Sequence, residues 1–412
     1  MKSAILTKFL RRNRRYLVKG EKTRMEAANR IKRLPHHFFS TLVQKSAALQ
    51  EQGFDVIDLG RGSPDLATPP HILKALWDAA QNPLYHRYSP FEGYPEIRQG
   101  IVNWYARERG VQLDSESEVA TLFGSKIGLI EVATCLLEPG DVCLVPDPGY
   151  PDYLSGIALA GAEAYPMPLL AKNNYLPDFE MIPEDVLKRT KLMFLNYPCN
   201  PTATLAPRSF FEAAIEFALQ NKITIAHDYA YGAIGFDQKR PISFLEIPGA
   251  KEVGIEFYSL SKTYNMSGWR VGFALGNSKV VGLINKLQNH LFANIPPAIQ
   301  MMAASALTGP QDCVQEIISI YEQRRNTFIE ALAQIGWKAN PPEGSFFAWL
   351  PIPETMTAME YSDLLLEKAQ TVVAPGTGFG PHGEGFVRIG LLHEIPRLLE
   401  AVERIQRLRI WK

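Results

Sequence analysis

Short apolar runs alternate with longer amphipathic segments along most of the chain after residue 33. Runs rich in branched and aromatic side chains predict buried strands, whereas apolar residues spaced three and four apart predict helices. The predicted strands are Val119–Phe123, Val142–Pro146, Lys191–Tyr197, Ile223–His227, Glu256–Leu260 and Trp269–Leu275. The predicted helices between them include Ser125–Leu137, Arg208–Gln220 and Lys279–Phe292. This alternation indicates an α/β fold with a mainly parallel sheet sandwiched by helices.

The pattern changes in the last quarter of the chain. A long helical pattern at Gln311–Ile335 precedes a strand-like run at residues 345–352, two further short apolar runs and a closing helix. These elements predict a smaller α+β domain. We therefore expect four parts, which are a basic and flexible extension (1–32), a segment packing with the small domain (33–60), a large domain (61–300) and the small domain (301–412).

Composition and charge narrow the class of protein. The chain is 46% hydrophobic and 21% charged, with no net charge. Residues 1–24 hold nine basic residues and one acidic residue, so the remainder is mildly acidic, which argues against nucleic-acid binding. No stretch is apolar enough for a membrane span. The four cysteines lack the spacing of a zinc site or a disulfide framework, so no metal is expected and a reducing cytoplasm fits best.

Polar or glycine residues follow most of the predicted strands directly. Ligands of open α/β sheets bind beyond the carboxyl ends of the strands, so we expect these residues to converge on one edge. They are Gly124 to Lys126, Asp147 to Tyr150, Asn200 to Thr202, Asp228 to Tyr231, and Ser259 to Lys262.

A lysine and a carboxylate stand out among them. Lys262 follows an apolar strand, and partial burial there would lower its pKa and make it a nucleophile toward a carbonyl. Asp228 ends another apolar strand and needs a cationic partner, for which a protonated pyridine nitrogen would serve. His227 points to the opposite face and is interpreted as a core residue.

Three further segments predict ligand contacts. Strand, Gly124 and a helix start form a natural phosphate cradle, although the GxGxxG spacing of a dinucleotide site is missing. Asn200, in a proline-punctuated turn, offers an amide to a ring oxygen. Tyr150 could cover the face of a planar ring. The glycines of residues 374–385 lie in a late loop and are interpreted as turn residues.

From about residue 33 to 410, the chain resembles the fold type I (class I/II) aminotransferases that depend on pyridoxal 5'-phosphate (PLP). The motif SxSKxxxxxGxR at residues 259–270, with the DxxY and NPT motifs, carries the resemblance. It implies that Lys262 forms a Schiff base with the cofactor and shuttles the α-proton. Asp228 would pair with the pyridine nitrogen, and Tyr231 and Asn200 would hydrogen-bond the ring hydroxyl.

The resemblance also assigns the remaining cofactor contacts in a large PLP-binding domain. Tyr150 would stack on the ring, and Tyr88 would reach the cofactor phosphate of the neighbouring subunit in a homodimer. The phosphate would be held by Gly124, Ser125, Lys126, Ser259 and Arg270.

For the substrate, the resemblance implies that Arg388 clamps the α-carboxylate and that Arg61 and Gly62 lie against the substrate. Segments such as residues 145–156 and 344–351 most resemble the bacterial methionine-salvage aminotransferases, which aminate 4-methylthio-2-oxobutanoate. Aspartate or LL-diaminopimelate transamination and a carbon–sulfur β-lyase reaction on the same scaffold remain alternatives. A PLP-binding regulator of transcription is disfavoured, because about 32 residues are too few for a DNA-binding head.

Overall fold

The structure is a computed structural model that describes residues 26–35, 38–292 and 294–411. Residues 1–25 of the predicted basic extension lie outside this range. The strands in chain order are β1 (Ile57–Asp58), β2 (Val119–Leu122), β3 (Val142–Asp147), β4 (Glu163–Pro168), β5 (Thr190–Leu195), β6 (Thr224–Asp228), β7 (Gly254–Ser259), β8 (Gly272–Gly276), β9 (Phe347–Pro351), β10 (Thr371–Val372), β11 (Ala374–Pro375) and β12 (Phe386–Gly390).

Helices of very different length separate these strands. In chain order they are α1 (Asn29–Lys32), α2 (Phe38–Glu51), α3 (Pro70–Ala80), α4 (Pro95–Arg109), α5 (Ser125–Leu136), α6 (Tyr153–Ala160), α7 (Glu184–Leu187), α8 (Arg208–Asn221), α9 (Ala250–Val253), α10 (Leu260–Thr263), α11 (Ser278–Leu291), α12 (Pro297–Thr308), α13 (Asp312–Gln334), α14 (Ala358–Ala369) and α15 (Ile395–Gln406).

Seven strands form the central sheet in the order β2-β8-β7-β6-β5-β3-β4. The pairs among β7, β6, β5, β3 and β4 are parallel, whereas β8 is antiparallel to both of its neighbours. Every residue of β3 and β7 is buried, which explains why both strands are mainly apolar, with Asp147 at the end of β3 and Glu256 within β7 as the charged exceptions. The predicted α/β fold is thus confirmed.

The start of β8 differs from the sequence prediction. The prediction began this strand at Trp269, but Ser267–Trp269 is a 3₁₀ turn and Arg270 has a left-handed φ of 58°. A left-handed residue cannot continue the strand pairing, so β8 begins only at Gly272. A Cβ at Gly272 would lie 2.7 Å from the backbone nitrogen of Ser125, so the absence of a side chain allows β8 to pass close to α5.

A second group of strands lies toward the C-terminus. β9, β12 and β11 form an antiparallel sheet, and β1 pairs in parallel with β10. β1, β9 and β12 share a separate apolar cluster with α13, α14 and α15. The segment around β1 therefore packs with C-terminal residues. The bounds of the four predicted parts of the chain stay a prediction.

Among the described helices, none combines the length and the apolar character needed to cross a membrane. The described residues also include no group of three or more His, Cys, Asp or Glu placed to hold a metal ion. The cytoplasmic location expected from the cysteine pattern stays a prediction.

Candidate active site

A cavity of about 440 Å³ lies at the carboxyl ends of the central strands, facing β1, β10 and β12. Most of the residues predicted from the sequence line it, although they come from ten separate places in the chain. They are Arg61, Gly62, Ser125, Lys126, Tyr150, Asn200, Asp228, Tyr231, Ser259, Lys262, Arg270 and Arg388.

Two predicted residues do not line this cavity. Gly124 lies just behind it, since a Cβ there would come within 2.3 Å of Nη2 of Arg270. Its φ of 82° is a second reason for glycine at the start of α5. Tyr88 is 90% exposed and lies outside the cavity of its own chain.

Lys262 is presented by α10, the short helix that follows β7. Its Nζ donates a hydrogen bond to the backbone oxygen of Gly62 at 2.9 Å. Burial, together with the positive charges of Arg388 and Arg270, lowers the pKa of Lys262 to about 8, while Asp228 acts in the opposite direction. The amine is therefore neutral, and nucleophilic, at a much lower pH than an exposed lysine.

Asp228 ends β6 with its side chain buried. Its Oδ2 accepts a hydrogen bond from the hydroxyl of Tyr153 at 2.9 Å. Among the described residues, no group hydrogen-bonds the other oxygen, Oδ1. Burial raises the pKa of Asp228, and the bond from Tyr153 opposes that rise. A buried carboxylate with one open oxygen is suited to a cationic N–H donor from a ligand.

Arg388 and Asn200 meet on the opposite side of the cavity. Nη1 of Arg388 donates to Oδ1 of Asn200 at 2.9 Å, and Nη2 donates to the backbone oxygen of Gly60 at 2.8 Å. The backbone N–H of Asn200 is itself held by the side chain of Asn196. Burial lowers the pKa of Arg388 to about 10, so the side chain stays cationic at neutral pH. The pair can bind an anionic group such as a carboxylate.

The predicted phosphate contacts gather where α5 begins. The left-handed Arg270 is held by a bond from its Nη1 to the backbone oxygen of Ser267 at 2.9 Å. Ser259 lines the same end of the cavity. The first N–H groups of α5 and the Arg270 guanidinium together suit an anion. Lys126 differs, because its Nζ is engaged by Oδ2 of Asp152 at 2.9 Å.

Sequence reasoning missed Tyr153 as a site residue. It selected Tyr150 from the same segment, whereas Tyr153, three residues later at the start of α6, reaches Asp228. The local signal was a second tyrosine close to the end of β3, although Tyr150 precedes α6 and the two tyrosines share no helix face. His227 is fully buried and bonded to Glu256, as its strand position predicts.

Comparison with known proteins gives consistent results. The family model "Aminotransferase class I and II" matches residues 55–405. The L-glutamine--4-(methylsulfanyl)-2-oxobutanoate aminotransferase of Bacillus subtilis strain 168 is 50% identical, covering 94% of this chain and 98% of that protein. An LL-diaminopimelate aminotransferase of Desulforudis audaxviator is 45% identical over an alignment that covers 92% of this chain and 97% of that protein. A substrate-bound structure of BacF from Bacillus subtilis superposes with a TM-score of 0.90 at 46% identity. The superposition covers 94% of this chain and 99% of the BacF chain.

Proposed function

The chain belongs to the family of class I and II aminotransferases, and we propose that its substrates are neutral amino acids and 2-oxo acids, in particular methionine and 4-methylthio-2-oxobutanoate. Membership confirms the resemblance inferred from the motifs. The chain is an enzyme that moves an amino group between an amino acid and a 2-oxo acid, and its family depends on PLP.

Features of the cavity fit PLP. Oδ1 of Asp228 is buried without a partner among the described residues and would accept a hydrogen bond from the pyridine nitrogen. Arg270 and the N-terminus of α5 would hold the phosphate, with Gly124 leaving room for the guanidinium. Lys262 would hold the cofactor covalently through its aldehyde carbon. When bound, PLP supplies an electron sink that stabilises negative charge at the substrate α-carbon.

The chain's own residues would perform the remaining tasks. Arg388 binds the substrate carboxylate in a planar fork and so fixes the position of the α-carbon. Once the substrate amine has displaced it from the aldehyde carbon, the neutral amine of Lys262 would accept and hold the proton of the substrate α-carbon, as a lysine with a pKa near 8 can do. Asn200 and Tyr231 orient the ring hydroxyl, and the hydrogen bond from Tyr153 favours the ionised form of Asp228.

The charge pairing in the cavity carries the proposal for neutral substrates. Two of its cations could attract a second carboxylate, but each is already paired with a carboxylate of the protein. Arg61 Nε lies 2.6 Å from Asp58, and Lys126 Nζ lies 2.9 Å from Asp152. Neighbouring wall positions are apolar, namely Leu42, Val43, Leu129 and Val372. An uncharged, sulfur-containing side chain suits such a surface, in line with the name of the Bacillus subtilis relative.

We further propose a homodimer in which Tyr88 reaches the cofactor phosphate of the partner subunit. Tyr88 and the nearby Phe91 are strongly exposed, as is Phe123 after β2. The segment is held in place, because Ser89 donates to the backbone oxygen of Ile295 at 2.8 Å. Large aromatic side chains on a fixed, exposed segment are typical of a protein interface.

The visible spectrum of the purified enzyme tests the substrate proposal. Methionine, glutamine, glutamate, aspartate, alanine, an aromatic amino acid and LL-diaminopimelate are added singly. Methionine and glutamine should bleach the cofactor band fastest, with 2-oxo acid as the product. A faster response to aspartate or LL-diaminopimelate would overturn the preference for neutral substrates. Release of pyruvate and ammonia would instead identify a lyase.

A further inference from the structure

The loop between β11 and β12 lies against the end of β3 in the central sheet. It consists of two 3₁₀ turns, Gly376–Phe379 and Pro381–Gly383. Its glycines can be explained as turn residues, yet its contacts reach well beyond a turn. We call residues 376–383 the docking loop.

Asp147, the last residue of β3, anchors the docking loop. Its side chain is only 3% exposed. Oδ2 lies 2.7 Å from Nδ1 of His382, and Oδ1 accepts a hydrogen bond from the backbone N–H of the same residue at 3.1 Å. Because the carboxylate can only accept, Nδ1 is the donor. Without this partner, the buried carboxylate would be left unpaired and would destabilise the folded protein. The packing of the loop against β3 therefore depends on this contact.

Two further contacts hold the loop at the same place. The backbone N–H of Gly149 donates to the oxygen of Phe379 at 2.8 Å. Gly380 has a φ of 132°, and a Cβ there would lie 2.1 Å from Oδ1 of Asp147. Only glycine allows the loop backbone to come this close to the Asp147 side chain. The contacts of Phe379, Gly380 and His382 with the end of β3 together hold the loop in one position.

The anchored loop places the Phe379 ring against Arg388. The centre of that ring lies 4.7 Å from the guanidinium carbon, and the ring of Phe347 lies 4.1 Å from it. Aromatic rings attract a guanidinium and restrict the tilt of its plane. Binding of a carboxylate by two parallel hydrogen bonds depends on that plane.

We propose that Asp147 and His382 are positioning residues for carboxylate recognition, which act by holding Phe379 against Arg388. The proposal rests on the proposed function, in which Arg388 binds the substrate carboxylate. It also explains why a strand of the central sheet contacts a loop between two strands of the other sheet. Loss of the anchor would release the ring and weaken substrate binding, while Lys262 and its hydrogen bond to Gly62 would stay in place.

The test measures carboxylate affinity in the cofactor-loaded enzyme. The probe is 4-methylthiobutanoate, which has the carboxylate but neither an amino nor an oxo group, and its binding is followed through the visible absorbance. His382→Ala should weaken binding about tenfold, comparable with the loss of a charge-assisted hydrogen bond. KM should rise by the same factor, with kcat within about twofold of the parent. His382→Asn, whose amide can donate in place of Nδ1, should restore most of the affinity.

A double-mutant comparison separates positioning from general loosening. Phe379→Leu should weaken binding to a similar extent, and His382→Ala with Phe379→Leu should be no weaker than the weaker single variant. Effects that multiply, or a kcat loss without a KM change, would overturn the proposal. If His382→Ala does not fold, Phe379→Leu alone decides, because unchanged affinity in that variant overturns the role of the ring.

Arg388→Leu distinguishes this proposal from the proposed function. That variant should bind the probe far more weakly than any loop variant. If it binds as tightly as the parent, Arg388 is not the carboxylate site and the proposed function fails at that point. If it loses binding while all loop variants keep it, the proposed function stands and the positioning role of Asp147 and His382 is wrong.

Discussion

The ammonium of Lys126 lies 2.9 Å from the carboxylate of Asp152 at the wall of the active-site cavity. This ion pair removes one cation from the set available to a substrate side chain. The same relationship holds between Arg61 and Asp58. In the proposed function, substrate preference would therefore depend on carboxylates that themselves need not touch the substrate.

Asp152→Asn should release Lys126 and shift preference toward dicarboxylic substrates. We expect kcat/KM for glutamate relative to methionine to rise about three- to tenfold, a modest change because the pair is partly solvent-screened. Steady-state assays with both amino acids measure it. Glu184→Gln is the matched control, since it removes the carboxylate of an exposed pair with Lys188 outside the cavity. An unchanged ratio in Asp152→Asn would exclude this role of the pair.

The low pKa of Lys262 can be measured in the cofactor-free protein. Because the pKa is about 8, the amine is neutral above that pH, and its acetylation should rise with pH to a midpoint near 8. Peptide mass spectrometry of pulse-acetylated protein gives the midpoint. Arg388→Leu should move it upward, since Arg388 lowers the pKa of Lys262. A midpoint near 10.5 would contradict the burial argument.

Lys262→Ala should abolish turnover and covalent attachment of the cofactor.

Tyr153→Phe should impair catalysis through Asp228. In the parent enzyme the hydrogen bond from Tyr153 favours the ionised carboxylate of Asp228. Removal of this hydrogen bond therefore raises the pKa of Asp228 further. In the proposed function the carboxylate must be ionised, so the acid limb of the kcat/KM profile should move to higher pH. Tyr197→Phe is the control, because its hydroxyl donates to the backbone oxygen of Tyr175 and not to the cavity. An unmoved acid limb in Tyr153→Phe would refute the coupling.

The burial of Glu131 leads us to expect that the free energy of unfolding depends on pH. It is buried between α5 and α11, where Nε2 of Gln288 donates to its Oε2 at 2.9 Å. Oε1 of each side chain has no hydrogen-bond partner among the described residues, so a proton on Glu131 would turn one of these two unpaired acceptors into a donor. Burial raises the pKa of Glu131 from 4.5 to about 7.

The folded protein therefore holds this proton more tightly than the unfolded chain. The resulting stabilisation is fully present below pH 4.5 and is lost as the pH rises through 7, at a cost of about 3 kcal/mol. Glu131→Gln has no proton to lose and should show a smaller fall in melting temperature between pH 5.5 and 8. Equal falls in parent and variant would show that Glu131 does not titrate in this range.

Complementation between variants tests the position of Tyr88. Tyr88→Ala should weaken PLP binding about tenfold, by loss of one phosphate contact. In mixed dimers of Tyr88→Ala with Lys262→Ala, a tyrosine acting across the interface leaves one site with both residues intact. At a PLP concentration that fills the parent site but only a small part of the Tyr88→Ala sites, activity should therefore recover toward half that of the parent. No recovery would place Tyr88 in the site of its own subunit or in neither.

Much of the catalytic machinery could be predicted from the sequence, because its signals are local. The apolar runs of β6 and β7 predict strands, and a polar residue at the end of such a strand must face the sheet edge. Asp228, Lys262 and Asn200 are recognisable for that reason, and their motif spacing identifies the family. The left-handed turn at Arg270 escaped prediction, because it depends on the close approach of β8 to α5.

Only the tertiary structure decided which side chains pair across long sequence distances. Nothing local to Asp147 shows that it binds His382, 235 positions away. Likewise, the pattern around Lys126 shows a cation but not whether Asp152 neutralises it. Such pairs depend on strand order and on the packing of one sheet against the other. The sequence by itself therefore determined which chemical groups are present at the site, and the packing determined their charge balance and orientation.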